Sequence, residues 1–162
     1  DISEEAIQRN EHLRGNGGDF NIDQFVTRGK GRAWDPGPST VCVKISDIYY
    51  PGYADKYESG VHGVVTRTKS YSPESLDPKV KHYSRMNFNL AELEANDVDP
   101  GSWPILTDND GNITEGIGYN ILIVTNGVLR SPDDRAILQG VSRGMVFDLA
   151  RQLGIPIVEE DL

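Results

Sequence analysis

Residues 77–143 constrain the fold of this chain more than any other segment, because their turn signals are dense and well ordered. An Asn126-Gly127 pair stands between two short apolar runs, and both positions of such a pair adopt positive φ readily. The pair therefore predicts a tight β-hairpin that joins residues 121–125 to residues 128–130. Residues 109–112 (Asn-Asp-Gly-Asn) predict a second hairpin-type turn.

Helical patterns stand between the strand patterns. Apolar residues recur at helical spacing over residues 84–96, and Ser142 is placed to cap a helix that runs to Leu153. Residues 49–53 combine tyrosines with proline and glycine, which predicts a turn. Hairpin strands with two helices between them predict an α+β fold, with a mostly antiparallel sheet and flanking helices.

Composition excludes several classes of protein. The chain has 162 residues, enough for one domain with a core, and its 37% hydrophobic and 25% charged residues favour a folded chain over a disordered one. The net charge of -9 argues against nucleic acid as a partner. No apolar run approaches the ~20 residues of a membrane span. Cys42 is the single cysteine, which favours a reducing compartment, and no metal-binding pattern is found.

Three chemical groups stand out within residues 77–143. Lys81 follows a Pro78-containing loop and supplies an amine, while Glu115 supplies an acid close to a turn. The helix that starts near Val141 and Ser142 supplies a third group, because the first turn of a helix has unpaired N–H donors and a partial positive charge. Such a helix start holds an anion without a cationic side chain.

These segments resemble the class IV aminotransferases, the pyridoxal phosphate (PLP) fold-type IV family, which includes branched-chain and D-amino-acid aminotransferases. The resemblance implies the C-terminal-type, cofactor-binding domain of such an enzyme over residues 21–162, incomplete at its C-terminus relative to the family. Residues 1–20 would be a helical segment near a domain boundary. The matching segments are Thr114-Glu115-Gly116 with Asn120, Asn126-Gly127-Val128 with Pro132, Leu138 to Arg143, and Gly154-Ile155-Pro156 with Glu159 to Leu162.

The resemblance also implies a role for each candidate residue. Lys81 would form the internal Schiff base with PLP, with Lys79 as its nearest rival. Glu115 would accept a hydrogen bond from the pyridine nitrogen. The remaining cofactor contacts would be Leu138 against the ring, and Val141 and Ser142 at the phosphate.

The activity implied is transamination between an amino acid, or an amine, and a 2-oxo acid, in a cytoplasmic homodimer. Arg28 or Arg32 would face the substrate carboxylate, because arginine pairs with carboxylates through two parallel hydrogen bonds. Two alternatives stay open. One is pyruvate elimination of the aminodeoxychorismate lyase type, suggested by Lys81-His82 with Arg85. The other is a non-catalytic family fragment that binds no cofactor.

Overall fold

The computed structural model describes residues 1–14, 18–35, 37–48 and 50–162. The chain divides into two compact units, Asp1–Ser59 and Gly60–Leu162. No helix within those ranges is long and apolar enough to cross a membrane. The elements are α1 (Ile2–Asn10), β1 (Phe20–Thr27), β2 (Thr40–Asp47), α2 (Pro51–Ser59), β3 (Gly63–Lys69), α3 (Met86–Val98), β4 (Trp103–Thr107), β5 (Ile123–Thr125), β6 (Val128–Pro132), α4 (Val141–Gln152) and β7 (Ile157–Glu160).

The first unit combines α1 and α2 with an antiparallel pair of strands. The β1–β2 ladder is regular from the pair Phe20–Asp47 to the pair Thr27–Thr40. The division between the two units falls after Ser59. The domains that the family resemblance implies, a helical segment over residues 1–20 and a cofactor-binding domain over residues 21–162, remain a prediction.

The turn predicted over residues 49–53 is wrong for the part that the structure describes; Tyr49 lies outside the described residues. Helix α2 begins at Pro51, and the Tyr50 carbonyl accepts the N–H groups of Tyr53 (3.0 Å) and Ala54 (3.1 Å). Proline is favourable at the first position of a helix, because the N–H that it lacks would have no intrahelical acceptor there.

The second unit contains a parallel pair of strands, β3 and β4, joined by the crossover helix α3. Parallel strands need such a crossover, and α3 covers the pair. Phe88 and Ala91 of α3 pack with Leu106 of β4 and with the partly buried Ile117. Phe88 of this small core also lines a cavity to which Lys81 and Glu115 contribute.

A three-stranded sheet, β5-β6-β7, completes the second unit. The predicted hairpin at residues 126–127 is confirmed: both residues have positive φ, 51° for Asn126 and 77° for Gly127. Strand β7 runs parallel to β6, and α4 is the crossover between them. The α+β class and the flanking helices are confirmed, and antiparallel and parallel ladders occur side by side.

Candidate active site

A cleft of about 600 Å³ opens in the second unit, where the loop carrying Lys81 and the loop carrying Glu115 meet the start of α4. A smaller cavity of about 40 Å³ shares four of its lining residues, namely Lys81, Arg85, Glu115 and Leu138. The cleft therefore has a volume suited to a small molecule.

Lys81 reaches the cleft from a tight turn organised by Asp77. The Asp77 carboxylate accepts the N–H of Lys79 at 2.9 Å, and its carbonyl accepts the N–H of Val80 at 3.2 Å. The Val80 carbonyl accepts the N–H of His82 at 2.8 Å, so the backbone is held on both sides of Lys81. Lys81 lines both cavities and Lys79 is not among the residues that line them.

Glu115 faces the cleft from the far side of a short closed loop. Glu115 and Asn120 form an antiparallel bridge, and within the loop the N–H of Gly116 donates to the Tyr119 carbonyl at 2.9 Å. The Oε2 of Glu115 accepts the backbone N–H of Leu138 at 3.1 Å and, more weakly, the Asn120 carboxamide at 3.4 Å. Two donors thus hold the carboxylate in one orientation.

The electrostatic state of Glu115 is poised near neutral pH. Burial raises the pKa of Glu115 to about 7, because the charged form loses hydration. The hydrogen bond from Leu138 and the positive charges of Arg85 and Lys81 act against burial, because each of them lowers the pKa of Glu115. A cationic N–H donor beside such an acid lowers its pKa, because it stabilises the charged form. With one more such donor, the Glu115 side chain would be a carboxylate at neutral pH.

The start of α4 forms another wall of the cleft. Ser142 was predicted to cap this helix, and that prediction is wrong: Gly140 is the N-cap, and no side chain caps the helix. Val141 and Ser142 are the first two helical residues, both exposed and both lining the cleft. Gly140 takes the cap position with an extended backbone (φ −63°, ψ 139°), and the first N–H groups of the helix are left without a side-chain acceptor.

Asn120 connects the Glu115 loop to the start of α4. Its Nδ2 donates to the Leu138 carbonyl at 2.8 Å. A Cβ atom on Gly140 would overlap the Oδ1 of Asn120, so this close approach requires glycine. Asn120 was part of the sequence motif but was given no role; a carboxamide five residues after the acid is the signal that could have revealed it.

The structure brings five of the predicted residues together around the cleft. Arg28 and Arg32 belong to the first unit, Asp1–Ser59. The Arg28 guanidinium donates to the carbonyls of Gly31 (2.8 Å) and Arg32 (3.0 Å), and that of Arg32 lies 5.7 Å from the Trp34 ring centroid. The five lining residues are Lys81, Glu115, Leu138, Val141 and Ser142.

Arg85 and His82 line these cavities, and the sequence assigned neither of them an individual role. Arg85 lines both cavities, and His82 lines the smaller one with its ring 6.0 Å from that of Tyr71. The Nδ1 of His82 is buried and has no hydrogen-bond partner among the described residues. Within the same ranges no group of three or more His, Cys, Asp or Glu side chains could hold a metal ion.

The sequence profile of the family described as amino-transferase class IV matches residues 1–162, the full length of the chain. The chain belongs to this family. The segments around Lys81 and Glu115 and over Leu138 to Arg143 resemble class IV aminotransferases, and this family membership is confirmed.

Several relatives show how much of a class IV protein the chain spans. A Methanocaldococcus jannaschii protein that bears the name of a branched-chain-amino-acid aminotransferase is 36% identical over 152 residues, covering 89% of this chain and 50% of that protein. The structure of the branched-chain amino acid aminotransferase from Thermobaculum terrenum, in its PLP-bound form, superposes with a TM-score of 0.77 at 21% identity, covering 97% of this chain and 52% of that one.

A second solved structure, the 4-amino-4-deoxychorismate lyase from Pseudomonas aeruginosa, superposes with a TM-score of 0.71 at 27% identity, covering 87% of this chain and 53% of that one. The chain thus spans about half the length of each of these three class IV relatives. At 21% identity, the likeness to the Thermobaculum terrenum structure establishes the fold alone.

Proposed function

We propose that this chain forms the cofactor-binding part of a PLP-dependent aminotransferase, which exchanges an amino group between an amino acid, or an amine, and a 2-oxo acid. The observation that carries the proposal is the meeting of Lys81, Glu115 and the N-terminus of α4 around one cleft. They provide an amine for an aldehyde, an acid for a ring nitrogen and a site for a phosphate. When bound, PLP supplies an electron-withdrawing ring that stabilises negative charge at the substrate Cα.

Each residue would contribute one function. Lys81 would hold the cofactor covalently until the amino donor displaces it. Its freed amine would then carry the proton of the donor Cα to the cofactor, and in the second half-reaction it would supply a proton to Cα of the new amino acid. Glu115 would accept the hydrogen bond of the ring nitrogen and keep it protonated. Leu138 would cover a ring face and exclude water, while Val141 and Ser142 would donate backbone and hydroxyl hydrogen bonds to the phosphate.

The chemistry of the cleft fits PLP in two respects. Glu115, with its pKa raised to about 7 by burial, would become a full carboxylate beside a protonated ring nitrogen. The N-terminus of α4 opens into the same cleft through Val141 and Ser142, and no side chain caps its first N–H groups, which suits an anion at the helix start. Both features would favour a cofactor with an acidic phosphate and a basic ring.

The substrate we propose is a branched-chain amino acid with its 2-oxo acid counterpart. The 36% identity to the Methanocaldococcus jannaschii protein, named for that substrate class, supports this choice. Arg28 or Arg32 is the candidate that the sequence offers for binding the substrate carboxylate. For Arg28 this would require release of the two carbonyl oxygens to which its guanidinium now donates.

One alternative activity has specific support. The Pseudomonas aeruginosa lyase is 27% identical, and Lys81-His82 with Arg85 first suggested pyruvate elimination from aminodeoxychorismate. The same Lys81 amine would then move protons for an elimination rather than an amino transfer. The other alternative, a family fragment without cofactor, is an outcome of the test below.

We also propose a homodimeric assembly in the cytoplasm, with small-molecule substrates and with no nucleic acid or membrane as partner. The net charge of -9 argues against nucleic acid as a partner, and the single, half-buried Cys42 favours a reducing compartment. The dimer is what the family resemblance implies. Sedimentation equilibrium would measure the assembly state directly, and a monomer across the accessible concentration range would contradict the dimer.

Addition of PLP followed by borohydride reduction tests the cofactor assignment. The peptide containing Lys81 should gain the mass of a reduced phosphopyridoxyl group, and the visible absorbance band should disappear. Lys81→Ala should remove both signals, whereas Lys79→Ala, the matched control on the same loop, should keep them. A wild-type protein that takes up no PLP would support the cofactor-free fragment.

An activity assay then separates the transaminase from the lyase. Incubation with leucine and 2-oxoglutarate should yield glutamate if the protein is an aminotransferase. Pyruvate release from aminodeoxychorismate without glutamate formation would assign the lyase activity instead.

A further inference from the structure

Arg85 is a cation that lines the cleft together with Lys81, and its side chain is held in place. It precedes α3, is half-buried, and lines both the large cleft and the smaller cavity. Its guanidinium carbon lies 4.0 Å from the centroid of the Phe88 ring, and that ring is only 6% exposed. Stacking on a buried aromatic ring restricts the plane in which the guanidinium lies.

A comparison with Arg143 shows what is unusual about Arg85. Arg143 also stacks on a phenylalanine, Phe147, at 4.5 Å, but its N–H groups donate to Ser131 (2.8 Å) and to the Glu159 carboxylate (2.6 Å). For Arg85, the described part of the chain supplies neither a carboxylate within 4.0 Å nor a hydrogen-bond acceptor. The donor edge of its guanidinium is therefore open to a ligand.

The charge balance of the cleft favours an anionic ligand. The chain as a whole carries -9, yet the cleft is lined by the cations Lys81, Arg85 and Arg143 and by a single carboxyl group, that of Glu115. The positive charge of Arg85 lowers the pKa of Glu115 against the dominant effect of burial, and it does so more than Lys81. A local positive field inside an acidic protein guides small anions to this site.

We infer that Arg85 binds the carboxylate of the substrate, through two parallel N–H···O hydrogen bonds from the edge of its guanidinium. The planar fork of arginine matches the two oxygens of a carboxylate. This inference rests on the proposed function, since it names a substrate-binding residue of the same cleft. It gives to Arg85 the role that the sequence gave to Arg28 or Arg32.

Calorimetric titration with a matched ligand pair tests the inference. The ligands are 4-methylpentanoate and its neutral amide, which differ only in the group that Arg85 recognises. Arg85→Gln should weaken binding of the carboxylate by about 10- to 100-fold, the range for loss of a charge-assisted hydrogen bond, and leave the amide unchanged. Arg85→Lys should be intermediate, because it keeps the charge and loses the fork.

The exposed Arg151, paired with Asp148 near the far end of α4, provides the control variant Arg151→Gln. This control should bind both ligands as the wild type does. Unchanged carboxylate affinity in Arg85→Gln would overturn the inference, as would an equal loss for both ligands, which indicates a structural defect. A loss in Arg28→Gln without one in Arg85→Gln would transfer the role to Arg28.

Borohydride labelling of Lys81 in the same samples distinguishes the two proposals. If the wild type is labelled and Arg85→Gln keeps its carboxylate affinity, only the inference about Arg85 fails. If no PLP is taken up but carboxylate binding still depends on Arg85, only the proposed function fails. A changed pH dependence of the cofactor absorbance in Arg85→Gln, with carboxylate binding intact, would place Arg85 beside the ring hydroxyl of the cofactor and overturn the inference.

Discussion

The carboxylate of Glu115 accepts the backbone N–H of Leu138, with 3.1 Å between Oε2 and N, although the two residues are 23 positions apart. Leu138 lies three residues before the start of α4. One hydrogen bond therefore orients the acid and also ties it to the helix N-terminus. The distance between the Glu115 carboxylate and the N-terminus of α4 is therefore restrained by this bond. A ligand that contacts both the carboxylate and the helix start meets two groups whose spacing is already set.

Replacement of Glu115 by glutamine should change the pH dependence of stability in the cofactor-free protein. The folded state keeps the Glu115 proton up to a pKa of about 7, whereas the unfolded state loses it near 4.5. Between these values the folded state binds more protons, so the contribution of Glu115 to stability falls as pH rises. Glu115→Gln should match the wild type near pH 4 and exceed it by about 2 kcal/mol at pH 8, allowing for partial exposure.

Urea unfolding of both proteins at the two pH values measures this difference. Glu115→Asp serves as a control, since it retains an ionisable group and hence a pH-dependent term. A stability difference between Glu115→Gln and the wild type that is the same at pH 4 and pH 8 would contradict a raised pKa.

Replacement of Ser142 by alanine should weaken PLP more than pyridoxal. The Ser142 hydroxyl would donate to the phosphate, while the N–H groups at the start of α4 remain in the variant. We expect about a tenfold loss of PLP affinity, corresponding to one hydrogen bond to a charged group. Pyridoxal lacks the phosphate and serves as the matched ligand, so an equal loss for both compounds in fluorescence titrations would argue against a phosphate contact.

The sequence predicts local geometry well where a turn depends on its own residues. The hairpin at residues 126–127 forms because Asn126 and Gly127 both tolerate positive φ, which is a property of those two residues alone. The start of α4 was misplaced by contrast, because Ser142 is a good cap in isolation while Gly140 is selected by its contact with Asn120. Only the tertiary fold brings Asn120 to that position.

Features that depend on the tertiary fold were also missed in α3 and at the candidate active site. Met86, Leu90 and Leu93 form the most apolar pattern on α3, yet all three are exposed in this chain, while Phe88 and Ala91 are buried. The small alanine allows α3 to lie close to the β3–β4 pair, which residue hydrophobicity does not reveal. The pairing of Lys81 with Glu115 came from family resemblance, because nothing local in either segment specifies it.

Replacement of Gly140 by alanine should destabilise the protein, whereas the same change at Gly144 should not. The Gly140 backbone suits any residue, but an added Cβ would overlap the Oδ1 of Asn120, which is anchored by its bond to the Leu138 carbonyl. We expect a loss of about 1–3 kcal/mol in the free energy of unfolding, typical of overpacking. Gly144 has open space around it, so Gly144→Ala should stabilise α4 by up to about 1 kcal/mol.

Urea unfolding with Asn120→Ala as a second change identifies the cause. In that background the clash is absent, so the cost of Gly140→Ala should shrink by more than the ~0.5 kcal/mol expected of independent sites. Equal costs with and without Asn120 would show that the carboxamide is not what excludes a side chain at position 140.

Replacement of Gly116 by alanine should open the loop that carries Glu115. An added Cβ at Gly116 would overlap the ring of Tyr119, which is held by its hydroxyl bond to the Pro104 carbonyl (2.7 Å) and by stacking on Trp103 at 4.8 Å. Because the ring is fixed on two sides, the loop rather than Tyr119 should move, at a cost of about 1–3 kcal/mol.

Gly118→Ala in the same loop meets no atom within 4 Å and provides the control. Near-ultraviolet circular dichroism of the tyrosine and tryptophan pair, recorded with the unfolding curves, should change in Gly116→Ala alone, and identical spectra for both variants would contradict this account of the loop.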